Sequence, residues 1–170
     1  MIVSLLILFI ITFVAFFTLL AGINGAPSIP APKSTVKKMV DLMKVKSGDI
    51  YYDLGSGDGR ILEEIIKRGG IAIGFEYAPL TYLYSKIRLL LTNKKGGEIF
   101  WRNFYKQNLS EASGIFCYLM PRPMVILEPK FQKELKKDTK VVSYVFKMPN
   151  KKPEKVVKLK GRAPIYVYEY

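Results

Sequence analysis

A glycine-rich segment offers the clearest chemistry in the sequence. It reads Asp53-Leu54-Gly55-Ser56-Gly57-Asp58-Gly59-Arg60 and joins an apolar run typical of a buried strand to a run with helical spacing. Glycine lets a backbone turn tightly and approach a ligand without a Cβ in the way, and the N-terminus of the following helix favours a negative group. The segment therefore predicts a ligand-binding loop at the carboxyl end of a strand.

A carboxylate follows at the position that such a site needs for a ribose. Glu76 ends the second predicted strand, nineteen positions after Gly57, and could accept hydrogen bonds from two ribose hydroxyls. A dinucleotide loop would place its third glycine at position 60, where the chain has Arg60. A nicotinamide or nucleotide site, or a plain turn with a solvated Glu76, remain as alternatives. The spacing itself resembles motif I of the class I S-adenosylmethionine-dependent methyltransferases.

Several further segments carry a more specific resemblance. They are Ile29-Pro30-Ala31-Pro32, Gly74-Phe75-Glu76, Tyr118-Leu119-Met120-Pro121 and Val141-Val142-Ser143, together with the glycine loop. Over roughly residues 29–146 the chain resembles the family of the mitochondrial ATP synthase c-subunit and adenine nucleotide translocase lysine N-methyltransferases and their prokaryotic relatives. The resemblance implies S-adenosylmethionine as the cofactor and protein lysine as the methyl acceptor.

The same resemblance implies the residues that bind the cofactor. Asp53 and the segment Gly55, Ser56, Gly57, Asp58 and Gly59 would hold its methionine end. Glu76 would hold the ribose, and Tyr77 would lie beside the adenine. Asn103 stands where the family usually has Asp against the adenine amino group, and its amide can still accept or donate a hydrogen bond.

The methyl-transfer step is less visible in the sequence. Transfer from a sulfonium needs alignment of the nucleophile with the methyl carbon and exclusion of water. Tyr118, at the end of the fourth predicted strand, is the candidate catalytic or substrate-channel residue, against the alternative of a packed aromatic. The Asn/Asp-Pro-Pro-Tyr/Phe motif of methyltransferases that act on nucleic-acid bases and glutamine is absent from this strand.

Composition excludes much other chemistry. The 170 residues contain no histidine and one cysteine, Cys117, so a His-metal site, a nucleophile–histidine pair and a disulfide framework are excluded, and no metal is expected. A hydrophobic content of 49% excludes intrinsic disorder. The net charge of +13 favours anionic headgroups or a simply lysine-rich surface, and nucleic acid is the disfavoured partner because no nucleic-acid module is visible.

The N-terminus is predicted to be a membrane anchor. Residues 2–23 form a nearly continuous apolar run, about 33 Å long as a helix, against a hydrocarbon core of ~30 Å. The absence of charge before Lys33 and the length of the run argue against a cleaved signal peptide. The lysines that follow predict a single-pass protein with its catalytic domain in the cytoplasm and the bilayer as a partner through residues 2–23.

The remaining pattern predicts three segments: a transmembrane helix at 1–23, a linker at 24–33 and a class I methyltransferase domain at 34–170. Alternating strands and helices predict an α/β, Rossmann-like, mostly parallel doubly wound sheet with a C-terminal antiparallel hairpin. Predicted helices cover 34–44, 59–68, 79–92 and Met124–Lys137, the last kinked or split by Pro129. Predicted strands cover 49–54, 71–75, 98–101, 114–119, 141–146, 156–159 and 165–168.

Three functions fit this pattern. The first is a membrane-anchored methyltransferase acting on a lysine of a membrane protein, because so short a domain has little room for a lid around a small molecule. The second is the same chemistry on a lipid, a quinone or another small membrane molecule. The third is a module that binds the cofactor without transferring a methyl group.

Overall fold

Seven strands form one sheet at the centre of the protein. The structure, a computed structural model, describes residues 2–24, 29–92 and 95–170. The strands are β1 Ile50–Leu54, β2 Ile71–Glu76, β3 Gly97–Trp101, β4 Gly114–Cys117, β5 Lys140–Tyr144, β6 Lys155–Lys158 and β7 Pro164–Glu169. Their order is β3-β2-β1-β4-β5-β7-β6, with β1 to β5 parallel and β7 antiparallel to both of its neighbours. The predicted parallel sheet with an antiparallel C-terminal hairpin is confirmed.

Five helices accompany the sheet in the described part of the chain: α1 Ile2–Asn24, α2 Lys33–Met43, α3 Arg60–Lys67, α4 Pro79–Leu91 and α5 Pro121–Glu134. One core cluster joins Met39, Leu62 and Leu89 of α2, α3 and α4 to one face of the sheet. The other cluster joins Leu127 and Phe131 of α5 to the opposite face. Because β4 is buried on both faces, its four residues are apolar or glycine without alternation.

Helix α5 differs from its predicted form. It begins at Pro121, where a missing N–H costs nothing, and continues through Pro129 to Glu134 without a break. Pro129 removes only the hydrogen bond to the carbonyl of Val125, and the side chain of Val125 is 56% exposed. That carbonyl lies on the solvent side of the helix, where water can satisfy it.

Strand β4 is shorter than predicted, which matters for the site. It ends at Cys117, so Tyr118 and Leu119 lie beyond the last strand pairing, at Leu54 and Ser143. Both residues therefore leave the sheet at its carboxyl edge instead of extending it.

The N-terminal helix does not bear out the predicted anchor. Within the described ranges of the chain, no helix is both long enough and apolar enough to span a bilayer. The predicted single-pass location with a cytoplasmic domain is therefore wrong, and the bilayer partner predicted through residues 2–23 is without support. Residues 25–28, in the predicted linker, lie outside the described residues.

Candidate functional site

A cavity of about 540 Å³ opens at the carboxyl edge of the sheet. It lies where the strand order reverses, between β1 and β4, which is the switch point at which open α/β sheets bind ligands. Nine of the ten residues singled out in the sequence line it: Asp53, Gly55, Ser56, Gly57, Asp58, Glu76, Tyr77, Asn103 and Tyr118. Gly59 is the tenth, and it caps α3 behind the cavity.

The glycine loop adopts a conformation that other residues would resist. Gly55 and Gly57 have φ values of 75° and 54°, in the left-handed region. A Cβ on Gly55 would lie 2.9 Å from the side chain of Leu119, whereas a Cβ on Gly57 would meet only the carbonyl of Gly55 at 4.0 Å. Gly55 is therefore needed for packing as well as conformation, and Gly57 keeps its backbone open to the cavity.

Glu76 joins the glycine loop to the start of α4. Its Oε2 accepts from the amide of Gly57 at 3.0 Å, and its Oε1 accepts from the amides of Tyr77 and Ala78, each at 2.8 Å. Burial raises the pKa of Glu76, and these three backbone donors oppose that rise. A carboxylate has about four acceptor positions, so this arrangement leaves one, on Oε2, for a ligand hydroxyl.

Asp53 is the buried carboxyl at the end of β1. It is 2% exposed and lines the cavity. Burial, with smaller contributions from the negative charges of Glu76 and Asp58, raises the pKa of Asp53 to about 8. A cationic group placed beside it would stabilise the carboxylate and lower that pKa, so Asp53 is suited to an ammonium or a sulfonium.

The side chains of Asp58 and Ser56 contact neighbouring protein groups and are not simply ligand contacts. The carboxylate of Asp58 pairs with Arg60 at 2.6 Å and with Arg88 of α4 at 2.7 Å. Burial would raise the pKa of Asp58, but the hydrogen bonds and charges of these arginines outweigh it and lower the pKa. The Ser56 hydroxyl is buried without a hydrogen-bond partner among the described residues and lies against Gly74. Both side chains therefore contact residues that hold the glycine loop in place, and the backbone of the loop remains to contact a ligand in the cavity.

Asn103 and Tyr77 lie at the end of the cavity formed by β2 and β3. The Asn103 Oδ1 accepts from the amide of Tyr105 at 2.9 Å and caps the short 3-10 helix Phe104–Lys106. Its amide nitrogen thus stays available as a donor. The carbonyl of Tyr77 accepts from the indole of Trp101 at 2.9 Å, which fixes the loop after β2.

Tyr118 lies in the cavity wall with its ring packed on Tyr144 at the end of β5. The ring centroids are 4.9 Å apart with an interplanar angle of 59°. Burial, and then the neighbouring Tyr144, raise the pKa of Tyr118. Its hydroxyl is therefore protonated at neutral pH and can act as a hydrogen-bond donor or acceptor, but not as a phenolate base.

Sequence reasoning missed one wall of the cavity. Leu80, Thr81 and Tyr84 line it from the first turns of α4, and Tyr105 lines it from the 3-10 helix. A signal was present for α4, since Pro79 marks a helix that must begin directly after Glu76. Arg60 also lines the cavity and donates to the carbonyl of Ala31, which brings residues 29–31 to its rim.

Comparison with known proteins agrees with this geometry. Residues 53–155 match the family model described as the ANTKMT methyltransferase domain. A protein-lysine N-methyltransferase of Saccharolobus islandicus is 35% identical over 85% of this chain and 92% of its own length. The human lysine N-methyltransferase of the ATP synthase c-subunit is 30% identical over 76% of this chain, which spans 56% of that relative.

A solved structure gives the same result for the fold. The chain superposes on an RNA methyltransferase of Salinibacter ruber, crystallised with S-adenosyl-L-homocysteine, with a TM-score of 0.79 and 30% identity. The match covers 83% of this chain and 93% of the other.

The cavity fits the cofactor that these relatives indicate. A buried carboxyl at Asp53 suits the cationic end of S-adenosylmethionine, the open backbone at Gly57 admits a close approach, and Glu76 keeps one acceptor for a ribose hydroxyl. Among residues 2–24, 29–92 and 95–170, no cluster of carboxylates and thiol could hold a metal ion. With its family model, its relatives and its site in agreement, the chain belongs to the ANTKMT methyltransferase family and is an S-adenosylmethionine-dependent methyltransferase.

Proposed function

We propose that the protein transfers a methyl group from S-adenosylmethionine to the side-chain amine of lysine in a protein substrate. The observation that carries the proposal is the 35% identity to an archaeal protein-lysine N-methyltransferase across 92% of that relative. Because this chain spans 56% of the human relative, the substrate of that relative is no guide to the substrate here.

The walls of the cavity support an amine acceptor. Tyr84, Tyr105 and Tyr118 line it, and aromatic faces and hydroxyl groups can orient an ammonium or amine. We assign Tyr118 to the acceptor channel and Asp53, Glu76, Tyr77, Asn103 and the Gly55–Gly59 loop to the cofactor. The cofactor supplies an activated methyl carbon, and the chain holds the amine in line with it and excludes water.

The test uses the full chain with methyl-labelled S-adenosylmethionine and a whole-cell protein extract. Labelled protein is hydrolysed and its amino acids are separated. Label in methylated lysine supports the proposal, and label in other residues or in none contradicts it. Gly57→Val is the inactive control, because a β-branched residue is strained at φ 54° and its side chain would enter the cavity. Gly48→Val, at φ 82° in the turn before β1 at the opposite edge of the sheet, is the matched control that should keep activity.

RNA is the second candidate acceptor. The net charge of +13 and the likeness to a solved structure of an RNA methyltransferase favour it. The same assay with a total RNA extract decides between the two, because label in nucleosides and not in lysine would replace the first proposal. A lipid extract assayed in parallel tests the small-molecule alternative.

A further inference from the structure

Four of the segments that leave the sheet at its carboxyl edge, beside the cavity, carry exposed cations. The segments follow β3, β4 and β5 and include the β6–β7 turn, all of which lie at the carboxyl edge of the parallel strands. The exposed cations on them, here called the basic rim, are Arg102, Lys106, Arg122, Lys147, Lys160 and Arg162. Across the described ranges, none of the six takes part in a salt bridge.

The carboxylates near this edge are already engaged. Asp53 and Glu76 are 2% and 7% exposed, and Asp58 is paired with Arg60 and Arg88. The exposed charges of the basic rim are therefore all positive.

The opposite edge of the sheet provides a comparison within the same molecule. Exposed carboxylates at Glu98, Glu111 and Asp138 lie where β3, β4 and β5 begin, among exposed lysines such as Lys136 and Lys137. A chain that is merely lysine-rich would show mixed charges at both edges. The uniformly positive charge beside the cavity thus indicates a negatively charged partner and is not explained by the high lysine content alone.

The basic rim is close to the acceptor site. The charge of Arg122 opposes the effect of burial on the pKa of Tyr105, a cavity residue, and Lys106 directly follows Tyr105 in the chain. The amide of Val145 donates to the carbonyl of Pro164, which holds the segment before Lys147 beside the end of the turn that carries Arg162. The cations therefore face whatever molecule presents its acceptor to the cavity.

Resting on the proposed lysine transfer, we propose that the basic rim docks an acidic protein segment whose carboxylates flank the acceptor lysine. A lone lysine approaching this rim meets charges of its own sign. Flanking Glu or Asp residues convert that repulsion into attraction, steer the segment to the cavity and set its register. Because the rim side chains are exposed, the attraction must weaken with added salt.

The test measures methylation of short Gly/Ser peptides with one central lysine flanked by either glutamates or glutamines. We expect the glutamate peptide to have a KM lower by about tenfold, with the difference shrinking at high salt. The variant R122E/K160E/R162E should abolish that preference while leaving the Kd for S-adenosylhomocysteine unchanged. The control K95E/K136E/K137E carries the same charge change at the opposite edge and should keep the preference.

Each outcome is informative. Equal KM values for the two peptides, or loss of the preference in the control variant, would overturn the docking proposal while leaving lysine transfer standing. Label in RNA but in no peptide would overturn the proposed function and the docking proposal together. Cofactor binding in the same samples shows that the variants are folded.

Discussion

The amide of Gly57 donates to Oε2 of Glu76 at 3.0 Å, across nineteen positions of sequence. This contact fixes the glycine loop to the end of β2, so one carboxylate both shapes the loop and offers its last acceptor position to a ligand. The two functions cannot be separated by substitution at Glu76 alone.

Glu76→Gln should weaken the binding of S-adenosylhomocysteine about 10- to 100-fold. Glutamine has one acceptor oxygen, so its NH₂ group must face at least one of the three backbone N–H groups that now donate to Glu76. Isothermal titration calorimetry measures the change. Glu98→Gln, an exposed carboxylate at the opposite edge, is the control and should leave the Kd as it is. Unchanged binding in both variants would remove Glu76 from the cofactor site.

Cofactor affinity should depend on pH through Asp53. The pKa of Asp53 is raised to about 8, and the cationic cofactor favours its ionised form, so binding below pH 8 releases a proton. Affinity should therefore rise between pH 6 and 8 and level off above that range. Titrations in buffers of different ionisation enthalpy count the released protons. Asp53→Asn should flatten this part of the profile, and an equally steep profile in that variant would assign the proton to another group.

The same group predicts the pH dependence of stability without cofactor. The folded-state pKa of about 8 lies above the ordinary value of 3.8, so the folded protein holds the proton more tightly than the unfolded chain. The stabilising contribution of protonated Asp53 is present below pH 4 and is lost as pH rises towards 8. Urea unfolding of wild type and Asp53→Asn at several pH values should show this slope in wild type alone. An equal or steeper slope in the variant would show that a group other than Asp53 causes the pH dependence.

Tyr118→Phe and Tyr118→Ala separate the ring from the hydroxyl. The ring packs on Tyr144, and the raised pKa keeps the hydroxyl protonated, so the phenylalanine variant should keep the pH profile of kcat. The alanine variant should raise the KM for the acceptor by about tenfold, because the channel wall is lost. Cofactor Kd is the control in both. A changed pH profile in Tyr118→Phe would make Tyr118 a proton-transfer residue.

Ser143→Ala tests a strained turn beside Tyr144. Val145 has φ 72°, which is rare for a β-branched residue, and the amide of Phe146 donates to the carbonyl of Tyr144 around it. The buried Ser143 hydroxyl donates to the carbonyl of Phe146 at 2.5 Å and braces this turn. Its removal should lower the free energy of unfolding by about 1–2 kcal/mol. Ser34 is exposed, so Ser34→Ala should change the free energy of unfolding by less than about 0.5 kcal/mol. Equal losses in the two variants would show that the Ser143 hydrogen bond does not stabilise the turn.

The sequence predicted the parts of the site that depend on local pattern. The glycine loop and Glu76 lie within one strand–turn–helix–strand unit, and their spacing alone requires them to meet. The ion pair between Asp58 and Arg88 could not be predicted, because it joins residues thirty positions apart that come together only when α3 and α4 pack on the same face of the sheet.

Other differences between the predictions and the structure arise where solvent exposure or long-range contacts determine the local conformation. Pro129 does not split α5, since the carbonyl that it frees lies on the solvent side of a helix held by buried Leu127 and Phe131. The positive φ at Val145 has no sequence signal, because the amide of Val145 donates to the carbonyl of Pro164, a partner nineteen positions away. The apolar run at residues 2–23 predicts an anchor, and the described helix does not meet that requirement.

Arg88 has a consequence for how the protein opens. It holds Asp58 at the glycine loop and Glu63 on α3 from a single position on α4. Detachment of α4 must break both ion pairs, so we expect α3, α4 and the loop between β1 and α3 to open as one cooperative unit in native-state hydrogen exchange. A bound ligand that holds Glu76 and the loop together would then slow amide exchange along α4, well outside its own contacts.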